Sequence, residues 1–350
     1  MSDAEGSRRF RHGLVLGKFY PLHSGHQAVI RTAQRACERV TIEILGASVE
    51  TIPLEVRASW LREEHPTARV VSAIDDARID FGDPDIWDLH MPIIEDLLDE
   101  PVDAVFTSEP YGNELARRLA AERVHVDPGR LTNPVSGTAI RDDVIGNWAE
   151  LPPPVRAWFT QRVVVLGAES TGSTTLATKL AESFATDWVP EYGRTYSVER
   201  PGGPNTPWRS DEFDLVMDRQ IESETRARRR APIPLLVCDT DALATTIWHE
   251  RYVGPCPEHL VERAAQHRPL AYVLTGDEIP FVQDGLRDGE HLRRAMQQRF
   301  RDVLTAQSVP WIEVRGTADH RVADARAFVE PLLAKALRIG PSLEESQTRA

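Results

Sequence analysis

At 350 residues with a formal net charge of −13, the chain is too long for one ordinary core and too acidic for a protein built to grip nucleic acid or an anionic membrane. Hydrophobic residues make up 41% and charged residues 27%, the balance of ordinary globular domains, so two domains are expected. Cys37, Cys238 and Cys256 are too few and too scattered for a disulfide framework or a zinc site, which suits a reducing cytosol and predicts a cytoplasmic protein. No run approaches the ~18 apolar residues of a membrane span, and the polar start lacks the apolar core of a signal peptide.

Residues 1–11 read as a disordered lead. A short apolar run over 13–19 predicts the first strand, and the pattern over 25–37 a helix. Further strands are expected over 40–45, 69–74 and 103–107, with helical patterns between them. Leu151-Pro152-Pro153-Pro154 cannot continue a helix or a central strand and marks a boundary. The first domain is placed over 12–150, a Pro-rich linker over 151–160 and the second domain over 161–338. In the second domain strands are expected over 162–166, 235–239 and 271–275, and helices over 173–184, 292–305 and 321–337. Neither half is a basic module. The polar tail, 339–350, is expected to be disordered. Strands alternating with helices predict the α/β class, with two doubly wound parallel-sheet domains that bind ligands at the carboxyl ends of their strands.

Two constellations fall at such strand ends. The first is Gly17-Lys18-Phe19-Tyr20-Pro21-Leu22-His23-Ser24-Gly25-His26, which closes the first strand and opens the first helix. His23 and His26 lie at the amino end of that helix, where free N–H groups and the positive dipole end suit phosphate. Their imidazoles can donate to a triphosphate as charge develops on departing pyrophosphate. Lys18 adds a point charge, and Gly25 lets the backbone approach the ligand. Far along the chain, Ser136-Gly137-Thr138-Ala139-Ile140-Arg141 presents two hydroxyls and an arginine at another helix start, a group able to clamp the same phosphate chain.

These residues resemble the nucleotidylyltransferase superfamily, with its GxFxPxHxGH stretch and distant S-x-T-x-x-R stretch. The resemblance is sharper to the nicotinamide-mononucleotide adenylyltransferase domain of NadR-type proteins, and it extends to Arg57-Ala58-Ser59-Trp60-Leu61 and Thr107-Ser108-Glu109-Pro110-Tyr111. The resemblance implies that His23, His26, Lys18 and Arg141 act on the reacting phosphates of ATP. It implies that Gly17, Phe19, Gly25, Ser136 and Thr138 complete the phosphate site and that Arg57 binds the nicotinamide nucleotide. Trp87 carries two readings, stacking on the cationic nicotinamide ring or a plain core position.

The second constellation is Gly167-Ala168-Glu169-Ser170-Thr171-Gly172-Ser173-Thr174-Thr175, between an apolar strand and a helix start. It has the form of a phosphate-binding loop, G-x-x-x-x-G-K-[ST], with Ser173 where the lysine belongs. The loop backbone still offers a cradle to phosphate, but the transferred group lacks its usual cation. Only three lysines occur in the chain, Lys18, Lys179 and Lys335. A preference for arginine would have placed Arg, not Ser, at 173. Arg287, with Arg293 and Arg294, is the arginine source expected from a lid.

This half resembles the ribosylnicotinamide kinase half of NadR-type proteins through Glu191-Tyr192-Gly193-Arg194, through the strand ending Asp239-Thr240-Asp241, and through Asp284-Gly285-Leu286-Arg287. The resemblance implies ATP contacts from Gly167, Glu169 to Thr175 and Arg287, and riboside contacts from Glu191, Tyr192 and Arg194. Thr174 and Asp239 are expected to hold Mg2+ and Asp241 to bind substrate or serve as base, although the two aspartates can exchange roles.

The expected protein is an enzyme of NAD salvage that joins nicotinamide mononucleotide to the AMP part of ATP and phosphorylates nicotinamide riboside. The competing expectation is an adenylyltransferase fused to a nucleotide-sensing module impaired by Ser173. A third is an adenylyl- or cytidylyltransferase for another phosphorylated substrate. Small molecules are the expected partners, without nucleic acid or membrane, and homo-oligomers are left open. The resemblance spans residues 12 to about 338, and the helix-turn-helix repressor domain that some NadR-type proteins carry is expected to be absent.

Overall fold

The computed structural model describes residues 9–80, 83–129, 131–132, 134–282 and 290–349. The chain divides into two compact units, Met1–Val155 with Arg338–Ala350, and Arg156–Leu337. Among the described residues, no helix is long and apolar enough to cross a membrane.

The first unit holds β1 (Phe10–Gly17), β2 (Cys37–Gly46), β3 (Arg69–Ile74), β4 (Ala104–Thr107) and β5 (Glu122–His125). They form one parallel sheet in the order β3-β2-β1-β4-β5. Central strands covered on both faces read as unbroken apolar runs, and β4 is buried along its whole length. The helix Ser24–Ala36 buries Val29, Ile30 and Ala33 on one face. From β1 the chain adds strands first on one side and later on the other, so the carboxyl ends of β1 and β4 flank the crevice where such sheets bind ligands.

The second unit repeats the plan with β6 (Gln161–Leu166), β7 (Trp188–Val189), β8 (Leu235–Asp239), β9 (Ala271–Thr275) and β10 (Trp311–Val314), ordered β10-β9-β6-β8-β7 and parallel throughout. Val163, Val164, Val165 and Leu166 are all buried at its centre. The loop after β6 lies at the switch point between β8 and β9.

Two expectations about chain organisation are corrected. The segment 151–160 is not an irregular linker, because Pro153–Phe159 is a helix and the division between units falls inside it. The missing N–H groups of the prolines fall in the first turn, where no intrahelical donor is needed. The tail 339–350 is not structureless either. It forms the helix Leu343–Arg349 and belongs to the first unit.

Candidate active sites

In the first unit the motif residues converge on a cavity of about 780 Å³. His23 caps the helix Ser24–Ala36, its Nδ1 accepting from the Gly25 N–H at 3.2 Å. A neutral imidazole accepting at Nδ1 carries its proton on Nε2, which makes His23 a donor on its other edge. The ring of His26 stacks on that of His23 with centroids 3.8 Å apart, and Phe19 packs on His26 at 4.9 Å. A Cβ on Gly25 would come within 3.1 Å of the His23 ring, so glycine here lets the capping imidazole lie flat over the helix start. Gly17 does the same for the Phe19 ring.

Ser136 caps the helix Gly137–Asp142 through the Ala139 N–H. Arg141 donates to the Tyr20 carbonyl at 2.6 Å and to Thr138 Oγ1 at 3.0 Å. A Cβ on Gly137 would sit 3.1 Å from the Arg141 guanidinium and 3.0 Å from the Tyr20 carbonyl. That close approach brings the two distant motifs to one cavity, which both line together with Lys18. Burial pulls the Lys18 ammonium below its ordinary value, against the nearby carboxylates of Glu344 and Glu50.

Arg57 is corrected. It does not line the cavity; its side chain is 1% exposed, pairs with Glu50 at 2.7 Å and donates to the Lys18 carbonyl at 2.9 Å. It buttresses the backbone behind the cavity rather than contacting a nucleotide. Gly46 makes room for it, since a Cβ there would meet the guanidinium at 2.5 Å. Trp87 is a core residue, buried with Met91, Ile94 and Leu115, and it also borders the cavity beside Tyr111. Sequence reasoning missed Asp75 and His90, which share a 2.6 Å hydrogen bond at the cavity wall. They stand 15 residues apart on either side of a loop, so no local spacing announces them.

In the second unit, Gly167 to Gly172 turns from β6 into the helix Ser173–Phe184. Gly172 has φ +84°, a conformation that favours glycine. The loop is tied down from several sides. Thr171 Oγ1 donates to the Ala168 carbonyl at 2.6 Å and accepts from Thr275 at 2.7 Å. Gln297 accepts from the Ala168 N–H at 3.1 Å, and Arg321 donates to the Thr171 carbonyl at 2.7 Å. Ser170 accepts from the Val282 N–H, and Glu169 from the Tyr252 hydroxyl. A Cβ on Gly167 would clash with the hydroxyls of Thr275 and Thr171.

Thr174 donates to Asp239 at 2.5 Å, and Ser173 neighbours the same carboxylate. Burial raises Asp239 above the ordinary carboxylate range. Burial, with Asp239 and Glu169 nearby, pushes Glu191 up to about 7, against Arg194. The two oxygen donors of Thr174 and Asp239 suit magnesium, which takes one or two carboxylates plus substrate phosphates.

Asp241 is corrected as the base. It caps the helix Ala242–Tyr252 through the Ala244 N–H at 3.1 Å and accepts from Tyr272 at 2.9 Å, so its two oxygens are committed to the scaffold. Tyr192 stacks near Tyr196, while Arg194 and Thr175 are exposed. Trp208 and Tyr252 stack with ring centroids 5.8 Å apart and pack on the core of Phe213, Met217 and Leu260. Arg287 lies outside the described residues. Arg293 is buried on the helix Glu290–Ala306, and Arg294 is exposed.

The family model of an AAA domain matches residues 162–321. The trifunctional NAD biosynthesis/regulator protein NadR of Escherichia coli is 28% identical over 331 residues, covering 86% of this chain and 78% of that protein. Its Salmonella typhimurium counterpart is also 28% identical, over 87% and 78%. A nicotinamide-nucleotide adenylyltransferase of Methanocorpusculum labreanum is 29% identical over 150 residues, 41% of this chain and 86% of that one. Among solved structures, a NadR protein in complex with NR superposes with a TM-score of 0.69 at 21% identity, covering 91% of this chain and 96% of that one, which shows the shared two-unit fold. Across both of its parallel α/β units, the chain is homologous to NadR.

Proposed function

We propose that the first unit transfers the adenylyl group of ATP to nicotinamide mononucleotide. A phosphate oxygen of the mononucleotide attacks the α-phosphorus, the bond to the bridging oxygen of the β-phosphate breaks, and NAD and pyrophosphate form. The observation that carries this is the meeting of His23, His26, Thr138 and Arg141, from two distant motifs, on one cavity at the carboxyl ends of β1 and β4. His23 would offer Nε2–H to the leaving phosphates, Arg141 a planar pair of donors, and Lys18 a point charge, so rate comes from positioning and charge stabilisation. The names of the homologous proteins, NAD biosynthesis and nicotinamide-nucleotide adenylyltransferase, support the same chemistry. The test is NAD formation by His26→Ala. Folding should be intact and activity lost, and retained activity refutes the assignment.

For the second unit we infer ATP-dependent phosphorylation of nicotinamide riboside. The Gly167–Gly172 loop would cradle the phosphates and Thr174 and Asp239 would hold magnesium. The ion would neutralise charge on the phosphates of ATP. Glu191, rather than the structurally committed Asp241, would take the proton of the ribose 5′-hydroxyl, its raised carboxyl titrating near neutrality. One observation favours a second reading, a nucleotide-binding unit without transfer. Ser173 stands at the lysine position, beside Asp239, and supplies no cation there. Arg321, which reaches the loop, is engaged by the carbonyls of Thr171 and Gly276 and by Glu278. Labelled ATP with nicotinamide riboside decides. Mononucleotide from the wild type supports the kinase, whereas none from the wild type and turnover in Ser173→Lys establishes the second reading.

A further inference from the structure

The chain returns to the first unit at Arg338 and runs into the proposed nucleotide cavity. Gly340 fixes the return, donating to Thr51 Oγ1 at 2.9 Å while its carbonyl accepts from the Tyr20 hydroxyl at 3.0 Å. A Cβ on Gly340 would stand 2.6 Å from the Thr51 methyl, so the approach needs glycine. Ser342 and Leu343 are then buried. Ser342-Leu343-Glu344-Glu345 forms a reciprocal cap. The Ser342 N–H donates to Glu345 Oε2 at 2.9 Å, and the Glu345 N–H to Ser342 Oγ at 3.4 Å. Farther along, Gln347 accepts from the Ile79 N–H at 3.1 Å.

The cap decides where the carboxylate of Glu345 goes. Oε2 is held by its own helix, which aims Oε1 at the clamp. There it accepts from Thr138 Oγ1 at 2.9 Å and pairs with Arg141. Next to it, Glu344 lies 3.7 Å from Lys18. Burial opposes charge on Glu345, but Arg141, the Ser342 N–H and Thr138 hold its carboxyl down at about 2, so it stays anionic at any physiological pH. A carboxylate on an arginine fork, a hydroxyl and a lysine satisfies the donors that would take phosphate oxygens.

We propose that the Leu343–Arg349 helix is a built-in competitor of ATP, with Glu345 and Glu344 standing in for nucleotide phosphates at Arg141, Thr138 and Lys18. The proposal rests on the adenylyltransferase reading of this cavity. ATP and the acidic pair use the same donors, so binding of one expels the other. The apparent affinity for ATP falls by the fraction of molecules whose clamp is open. The helix therefore sets the ATP level at which the first unit works, without touching the chemical step.

The experiment compares the full chain with Glu345→Gln, with the Glu344→Gln/Glu345→Gln pair, and with a chain ended at Gly340, reading KM for ATP and kcat in NAD formation. The expected result is a KM for ATP lowered about 5–20-fold at nearly constant kcat, in the order single, double, truncated. An unchanged KM, or one that rises, overturns the proposal, the latter because the helix would then be part of the ATP site. If no form makes NAD, the adenylyltransferase reading fails instead. A second readout does not need turnover. A glutamate-specific protease should cut the wild type at Glu344–Glu345 faster when a non-hydrolysable ATP analogue is present, and an unaltered or slower cut also overturns the proposal.

Discussion

Thr174 donates its hydroxyl to Asp239 across 2.5 Å, joining the first turn of the Ser173–Phe184 helix to the carboxyl end of β8. The two groups are the hard oxygen donors offered to a cation on ATP. Asp239→Asn keeps the shape of the site and removes the anionic donor. Riboside phosphorylation is expected to fall by about 10²–10³, the scale for losing one positioned electrostatic group. NAD formation from added mononucleotide should be unchanged. Both rates measured on one preparation check this, and equal losses would place the defect in folding.

Glu191 gives the second unit a pH signature. Burial among Asp239 and Glu169 pushes its carboxyl up to about 7. A base must be ionised to accept a proton, so phosphorylation is expected to rise as pH climbs through about 7 and then level off. Glu191→Gln should remove that rise and lower the rate by roughly 10²–10⁴. Asp241→Ala tests the rejected alternative. It should chiefly destabilise, through the lost cap of the Ala242–Tyr252 helix, by about 1 kcal/mol or more.

The fold was legible because both sheets announce themselves. Val163 to Leu166 and Leu235 to Cys238 are unbroken apolar runs, as strands covered on both faces must be. Short strands without an apolar run were not legible. Glu122–His125 and Trp188–Val189 carry too few apolar residues for any period, and pairing to a neighbour defines them. In the site, glycines and hydroxyls at fixed spacing were readable because backbone approach demands them, as at Gly137 beside Arg141. Roles set by tertiary partners were not. Arg57 looked like a ligand contact until Glu50 and the Lys18 carbonyl were seen around it, and Asp241 looked like a base until Tyr272 reached it. The acidic tail looked disordered because its ordering partners, Arg141 and Thr138, lie about 200 residues away.

Arg57 and Glu50 form an ion pair with side chains 1% and 0% exposed. Removing one partner leaves a buried charge, so Arg57→Met is expected to cost about 3–5 kcal/mol. Arg57→Met with Glu50→Leu should recover most of that, because the desolvation penalty of both ions goes with them. Denaturant unfolding of the two variants checks the stability. KM for ATP in the double variant is expected to rise only severalfold, since the lost contact is to the Lys18 carbonyl and not to substrate. A large loss of kcat there would return Arg57 to the substrate site.

Glu43 in β2 is wholly buried, and neither of its carboxyl oxygens has a hydrogen-bond partner among the described residues. Burial pushes it up to about 8, only partly offset by Arg69. In the unfolded chain the group titrates near its ordinary value of 4.5. Between the two values the unfolded chain has released the proton and the folded chain holds it, so stability falls as pH rises from about 4.5 to about 8. Below that window both states are protonated and the group contributes nothing. Glu43→Gln, neutral at every pH, should therefore match the wild type near pH 4.5. At pH 8 it should exceed it by roughly 4 kcal/mol in the unfolding free energy of the first unit. Denaturant melts of both proteins at pH 4.5, 6 and 8 measure the gap. A gap that stays constant across this range would mean that Glu43 is ionised in the folded protein and finds its compensation in the sheet.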